Sequence, residues 1–198
     1  MNLKEKFLKR SFDLMLSIIG FLVSLPIILM AWLVASVDTQ SNGFFVQQRV
    51  GKDGELFKIV KIKTMKPIVE ITNSITTSDD VRITRSGIFF RKSKIDELPQ
   101  LWNVLVGQMS FVGPRPDVAG YADQLKGDDR VVLSIRPGIT GPASLKYKDE
   151  EAILAQKADP KKYNDDVIWP DKVKINREYI ERYCFFHDFL YIWKTIIG

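Results

Sequence analysis

The sequence predicts an α+β protein, mostly helical, held to a membrane through its N-terminal end and carrying one small β-hairpin. Three observations predict this. Leu14 to Val37 is a run of 24 residues without a charge, bounded by Asp13 and Asp38. At about 1.5 Å per residue, a straight helix of that length reaches roughly 36 Å, enough to span a bilayer. The stretch "FFVQQRVGKDGELFKIVKIKTM" sets strand-forming residues on both sides of Lys52-Asp53-Gly54, a turn signal. Apolar residues recur at helical spacing in "DELPQLWNVLVG" and in "REYIERYCFFHDFLYIWKTI".

Taken in order, residues 1–38 read as an interfacial and membrane segment and 39–198 as one catalytic-sized domain. Residues 2–13 set Leu3, Phe7 and Leu8 against Lys4, Lys6, Lys9 and Arg10, the pattern of an amphipathic helix at a membrane interface. Anionic inner-leaflet lipids attract such a basic cluster, which favours the cytoplasmic side. A cleaved signal peptide fits poorly, because its apolar core is normally about 7–15 residues and no small-residue cleavage site precedes Asp38. Pro26 interrupts the apolar run, with Gly20 and Ser24 close by. Proline removes a helical hydrogen bond and clashes with the preceding turn, while a serine hydroxyl can satisfy a freed carbonyl. From this stretch alone a straight crossing and a bent re-entry both stay open.

Beyond the membrane segment, Phe44–Val50 and Leu56–Lys63 are expected to form the hairpin, and residues 66–85 a polar surface loop. In "DELPQLWNVLVG", Asp96 fits an N-cap, Glu97 and Pro99 fit the first turn, and Gly107 is placed to end the helix. Further helices are expected over 121–134 and 149–157. The C-terminal aromatics Tyr179, Tyr183, Phe185, Phe186, Phe189, Tyr191 and Trp193 fit either a domain core or a membrane interface.

Composition narrows the chemistry. One cysteine, Cys184, excludes an intramolecular disulfide, and one histidine, His187, leaves no zinc site of the usual kind. Any metal should be a hard ion held by carboxylates and substrate phosphates. The chain carries a net charge of +5, but its basic residues alternate with acids, so nucleic acid is not an expected partner. There is no Walker-type loop and no dinucleotide fingerprint.

Asp96 and Glu97 are adjacent carboxylates that do not face each other on a helix, so they are not a close-set glycosidase pair. One reading is a capping residue followed by a first-turn acid that favours the helix dipole. The other is that one carboxylate attacks phosphorus while its neighbour holds a metal ion or moves a proton. Arg91, Arg115 in "GPRP" and Arg136 in "RPG" supply planar forks suited to phosphate. Each alone fits a surface arginine. Grouped near turns around an acidic pair, they describe a diphosphate site.

These pieces together resemble the bacterial initiating sugar transferases, the monotopic phosphoglycosyl transferases. The most specific piece is "IDELPQLWNVLVGQMSFVGPRP", supported by "FFVQQRVGKDGELFKIVKIKTM", "DDVRITRSGIFFRKSKIDELPQ" and "RPGITGPASL", in family order from about Lys9 to the C-terminus. The resemblance implies a re-entrant helix-break-helix at Ser24 and Pro26, interfacial helices, and a catalytic domain on the cytoplasmic face of the bacterial inner membrane. It implies transfer of a phosphosugar from a nucleotide diphosphate sugar, usually a UDP-sugar, to polyprenol (undecaprenyl) phosphate, with release of UMP. The reaction would be Mg²⁺-dependent and ping-pong. Asp96 would be the nucleophile that forms an aspartyl phosphosugar, Glu97 its partner in Mg²⁺ binding or proton transfer, and Arg91, Arg115 and Arg136 the phosphate and nucleotide ligands. Such a step opens the assembly of a capsule, O-antigen, exopolysaccharide or other glycoconjugate. The chain departs from the pattern at Leu25, where the family often has serine before the proline, and at Ile62, where phenylalanine is common. Without the extra N-terminal membrane helices of larger members, it is expected to be the minimal type. Membrane lipids are implied partners, while a homodimer and downstream glycosyltransferases stay open. Two rival functions are a catalytically silent membrane scaffold that binds nucleotide sugar and a lipid-phosphate hydrolase. Residues 142–172 are where sugar contacts are expected.

Overall fold

Residues 1–66 and 80–197 are described by a computed structural model. The first helix, α1, runs from Leu3 to Thr39. It begins in a capping box: the Asn2 side chain accepts from the Glu5 amide, and the Glu5 carboxylate accepts from the Asn2 amide. It remains helical through Pro26, which corrects the helix-break-helix expectation. The Ser24 hydroxyl donates to the Phe21 carbonyl at 3.5 Å, one residue away from the Leu22 carbonyl that Pro26 leaves free. Among the described residues α1 is the one helix long and apolar enough to cross a membrane.

One stripe of α1 is buried along almost its whole length, through Lys9, Asp13, Ser17, Ser24, Ile28, Ala31, Ala35 and Thr39. Those steps of three, four and seven residues mark a single helical face. Its polar half is engaged by the domain. Lys9 pairs with Asp188 at 2.6 Å, and Asp13 accepts from the Ser110 hydroxyl and the Phe111 amide, each at 3.1 Å. Arg10 donates to the Val104 and Leu105 carbonyls at 2.7 and 2.9 Å. Two of the four basic residues expected to face lipid thus point into the protein, while Lys4 and Lys6 stay exposed. The outer face of α1 bears exposed Met15, Ile19, Leu22, Val23, Met30 and Val37.

The hairpin forms as expected, with β1 (Phe44–Val50) antiparallel to β2 (Leu56–Ile62). Asp53 and Gly54 take left-handed backbone in its turn, at φ 59° and 88°. Ile62 packs with Ile28, Ala31 and Ala35 of α1 and with Phe90 of α2 (Arg85–Lys92). On the other side, Phe57 and Ile59 pack with Val104 and Met109. Burying each such side chain contributes about 1.5–3 kcal/mol. The expected 66–85 loop lies for the most part outside the described residues.

The central helix α3 is shorter than expected, Gln100–Leu105, and Gly107 at φ 86° ends it as the sequence indicated. Fully buried Asn103 ties α3 to the hairpin. Its amide nitrogen donates to the Lys58 carbonyl at 2.7 Å, and its oxygen accepts from the Val60 amide at 3.2 Å. Strand β3 (Ser110–Val112) pairs in parallel with β4 (Gly138–Thr140). The expected helix over 121–134 is corrected: Ala122–Gln124 and Gly127–Ser134 are 3₁₀ turns, separated where Gly127 takes φ 56°. Short α4 (Pro142–Lys146), α5 (Glu150–Ala155) and α6 (Pro160–Tyr163) lead to α7 (Trp169–Glu181) and α8 (Phe185–Ile197). The C-terminal aromatics divide by residue. Tyr179 is core, whereas Phe186 and Trp193 are exposed, beside Ile196 and Ile197 on α8.

Candidate active site

The acidic pair sits on a turn that is tighter than an α-helix. Lys94 takes left-handed backbone at φ 59°, and Ile95–Glu97 follow as a 3₁₀ turn. The N-cap assignment of Asp96 is therefore corrected. Lying inside this turn, with α3 starting only at Gln100, its carboxylate caps no helix. The side chain is 9% exposed, and Oδ1 is buried without a hydrogen-bond partner. Burial, reinforced by the neighbouring Glu97 charge, pushes the Asp96 carboxyl up to about 6.

Glu97 has the opposite environment. Its Oε1 accepts from Lys61 Nζ at 2.8 Å and from Arg115 Nη2 at 2.9 Å. Burial alone would raise this carboxyl, but Arg115 and Lys61 together hold it well below the usual carboxylate range. Burial likewise lowers the Lys61 ammonium, against the pull of Glu97. Two adjacent carboxylates thus differ in kind: Glu97 is a fixed charge, and Asp96 is a buried, hydrogen-bond-poor base.

Backbone contact fixes where Arg115 stands. The "VGPRP" and "RPGITGP" loops touch main chain to main chain, with Gly113 N–H donating to Thr140 O at 2.9 Å and Gly138 N–H to Pro114 O at 2.8 Å. A β-carbon on Gly138 would collide with the Gly113 nitrogen, so only glycine permits the approach.

Further charges extend the site beyond the expected residues. Arg49 donates to the Pro116 carbonyl at 3.2 Å, and burial first, then Arg115, lowers its guanidinium. Burial pushes Asp117 up to about 6, opposed by Lys172, Arg49 and Arg115. Lys172 in turn pairs with Glu150 at 2.6 Å. Arg91 pairs with Glu151 of α5, and its charge reaches Asp96. Arg136 is turned elsewhere, donating to the Gly107 carbonyl at 2.6 Å beside Arg10 at the far end of α3.

Lys61, Arg49, Asp117, Lys172 and Glu150 escaped the sequence reading. For two of them a signal existed. In the hairpin register Arg49 faces Phe57 and Lys61 faces Phe45, which puts both basic residues in phase with buried Phe57 and Ile59. A cation on the core-facing side of a strand needs a buried anion.

The family described as bacterial sugar transferase matches residues 4–198. This chain belongs to the bacterial sugar transferase family. A putative undecaprenyl-phosphate N-acetylgalactosaminyl 1-phosphate transferase of Bacillus subtilis (strain 168) is 37% identical over 122 residues, 61% of this chain and 68% of that protein. The UDP-glucose:undecaprenyl-phosphate glucose-1-phosphate transferase of Escherichia coli (strain K12) is 30% identical over 197 residues, 97% of this chain and 40% of that protein. An uncharacterized sugar transferase of Bacillus subtilis (strain 168), EpsL, is 32% identical over 189 residues, 96% of this chain and 85% of that protein. The chain therefore spans about two fifths of one relative and most of another.

In this bacterial sugar transferase the described residues contain no group of three or more side chains that would cage a metal by themselves. A partial site of two carboxylates, completed by phosphate oxygens, is the arrangement Mg²⁺ commonly uses. Asp96, with its unpartnered Oδ1, and Glu97 fit that donor set.

The raised Asp96 carboxyl predicts a stability effect of defined sign. Below about pH 4 the side chain is protonated both folded and unfolded, and burial carries no charge penalty. Above about pH 6 it is ionised in both states, and the full cost of burying the charge applies. A shift of about two units corresponds to about 3 kcal/mol. Asp96→Asn should therefore raise the thermal midpoint of the full chain in detergent at pH 7.5, with the gain gone at pH 4. An unchanged or lower midpoint at pH 7.5 would contradict the assigned environment.

Proposed function

We propose that this protein transfers a sugar phosphate from a UDP-sugar to polyprenol phosphate, releasing UMP through an aspartyl-phosphosugar intermediate. One observation carries the reading: of two adjacent buried carboxylates, Glu97 is clamped by two cations and Asp96 is left free to react. The name of the Escherichia coli relative, a UDP-glucose:undecaprenyl-phosphate glucose-1-phosphate transferase, supports the same substrate classes.

An Asp96 carboxylate oxygen attacks the sugar-linked phosphorus. The bond from that phosphorus to the bridging oxygen breaks, and UMP departs with the electron pair. Arg115 stands where it can hold a diphosphate oxygen while still bonded to Glu97, and its charge offsets repulsion between carboxylate and substrate. Arg91 is close enough to act on the same centre once substrate competes with Glu151 for it. A polyprenol phosphate oxygen then attacks the aspartyl phosphorus, breaks the acyl phosphate bond and restores the Asp96 carboxylate. Asp96 and Glu97 are the residues that would hold Mg²⁺, which when bound would supply charge neutralisation at the leaving phosphate. Arg136, turned toward Gly107, has no part in this scheme.

We further infer that the protein is monotopic on the cytoplasmic face, with α1 seated in the membrane without crossing it. Both ends of α1 support this. Lys9 and Asp13 bind α8 and β3 near its start, and Asp38 accepts from the Ser86 hydroxyl at 2.5 Å near its end. A crossing helix would have to surrender one of these sets of contacts. The exposed apolar residues of α1 and α8 would face lipid.

Incubation of wild type with UDP-sugar and Mg²⁺ is expected to release UMP without added acceptor. Asp96→Asn should reduce this by about 10³-fold or more. The wild-type rate should fall as pH drops through about 6 and Asp96 takes up a proton. With polyprenol phosphate added, release of inorganic phosphate in place of UMP would favour a lipid-phosphate hydrolase, and no nucleotide release a scaffold. For sidedness, single cysteines at Asn2 and Lys194, in a Cys184→Ser background, should react with an impermeant reagent only from the cytoplasmic side. Labelling from opposite sides would rule out the monotopic placement.

A further inference from the structure

The loop that presents Arg115 continues past the charged cluster into a second feature. Val118, Gly120 and Tyr121, together with Asp165 from the turn before α7 and Trp169 at its start, line an open groove of about 700 Å³. That volume lies in the range of small-molecule sites. The Tyr121 and Trp169 rings meet at 69° with centroids 5.3 Å apart and form an aromatic corner. Tyr121 Oη donates to Asp165 Oδ1 at 2.8 Å, and Asn164 Nδ2 donates to the same oxygen at 3.1 Å, so the carboxylate is fixed at the wall. The groove is contiguous with the charged site. Asp117, which precedes Val118, acts electrostatically on both Arg115 and Tyr121.

The chemistry of phosphoryl transfer gives this position a meaning. The leaving group departs roughly opposite the nucleophile. Asp96 is linked through its neighbour Glu97 to Arg115, and the chain from Arg115 leads through Asp117 to the groove. The leaving fragment is the nucleotide, whose planar base suits an aromatic wall and whose ribose hydroxyls suit a fixed carboxylate acceptor. The sugar stays bonded to the attacked phosphorus and projects to the side of that line.

We propose that the groove beside Tyr121, Asp165 and Trp169 binds the nucleoside of the donor, with the base against the aromatic corner. The proposal rests on the nucleotide-sugar donor argued above. The direct test is illumination of the wild-type full chain in detergent with 5-iodouridine 5′-monophosphate, which needs no turnover. Crosslinks are expected within residues 118–125 or 161–169 and should disappear with excess UMP. Crosslinks confined to other segments, or none competed by UMP, would overturn the proposal. Kinetically, Trp169→Ala should weaken UMP inhibition about tenfold and raise KM equally for UDP-glucose and UDP-N-acetylglucosamine. A changed ratio between those donors with UMP inhibition intact would make the groove a sugar subsite and refute the proposal. Loss of UMP release by wild type, with the crosslink retained, would sink the transferase reading and leave the nucleoside site standing.

Discussion

The Glu97 carboxylate held between Lys61 and Arg115 is the constraint on which the rest of the site depends. A buried charge is tolerated only when paired, and here both cations come from distant chain segments. Lys61 arrives on the hairpin, whose registration against α3 is fixed by Asn103. Arg115 arrives on a loop locked by the contact between Gly113 and Gly138. With its neighbour so engaged, Asp96 has neither a cation nor a helix amide as a close hydrogen-bond partner. One satisfied and one unsatisfied carboxylate thus stand side by side in the same acidic dipeptide.

The membrane helix is part of this architecture rather than an appendage to it. Its buried face brings Arg10 to the C-terminal carbonyls of α3, the helix that follows the acidic turn directly. Its Asp13 bonds to β3, the strand that leads to Arg115. Lys9 lies in a buried network with Asp188, whose carboxylate also accepts from Tyr179 and Tyr183 at 2.7 and 3.2 Å. Burying these polar groups is tolerable because each is satisfied. The position of α1 against the domain is thereby tied to the geometry of the segments that carry Asp96 and Arg115.

Much of this was legible in the sequence, for physical reasons. The hairpin was announced by β-forming residues around Lys52-Asp53-Gly54, and the end of α3 by Gly107, whose left-handed backbone favours glycine. That Arg115 of "GPRP" stands beside the acidic pair was also legible, as its ion pair with Glu97 shows. What was not legible depended on distant contacts. Lys9 and Arg10 read as lipid-facing because nothing local reveals Asp188 or the α3 carbonyls. Asp96 read as an N-cap because local pattern does not distinguish the start of an α-helix from a 3₁₀ turn. Asp117 and Lys172 lie 55 residues apart and meet only through the tertiary fold. Arg136 fitted the phosphate pattern yet turns to a main-chain carbonyl, since its rigid loop is used to lock Gly113.

The central claim is that Asp96 becomes covalently attached to the sugar phosphate. It is tested most directly by acid-quenching the full chain after brief exposure to UDP-sugar and Mg²⁺ without acceptor, followed by intact-protein and peptide mass spectrometry. The account predicts an added mass of one sugar phosphate on the peptide containing Asp96, lost when polyprenol phosphate is supplied. An unmodified chain under conditions that release UMP, or an adduct on another residue, would contradict it.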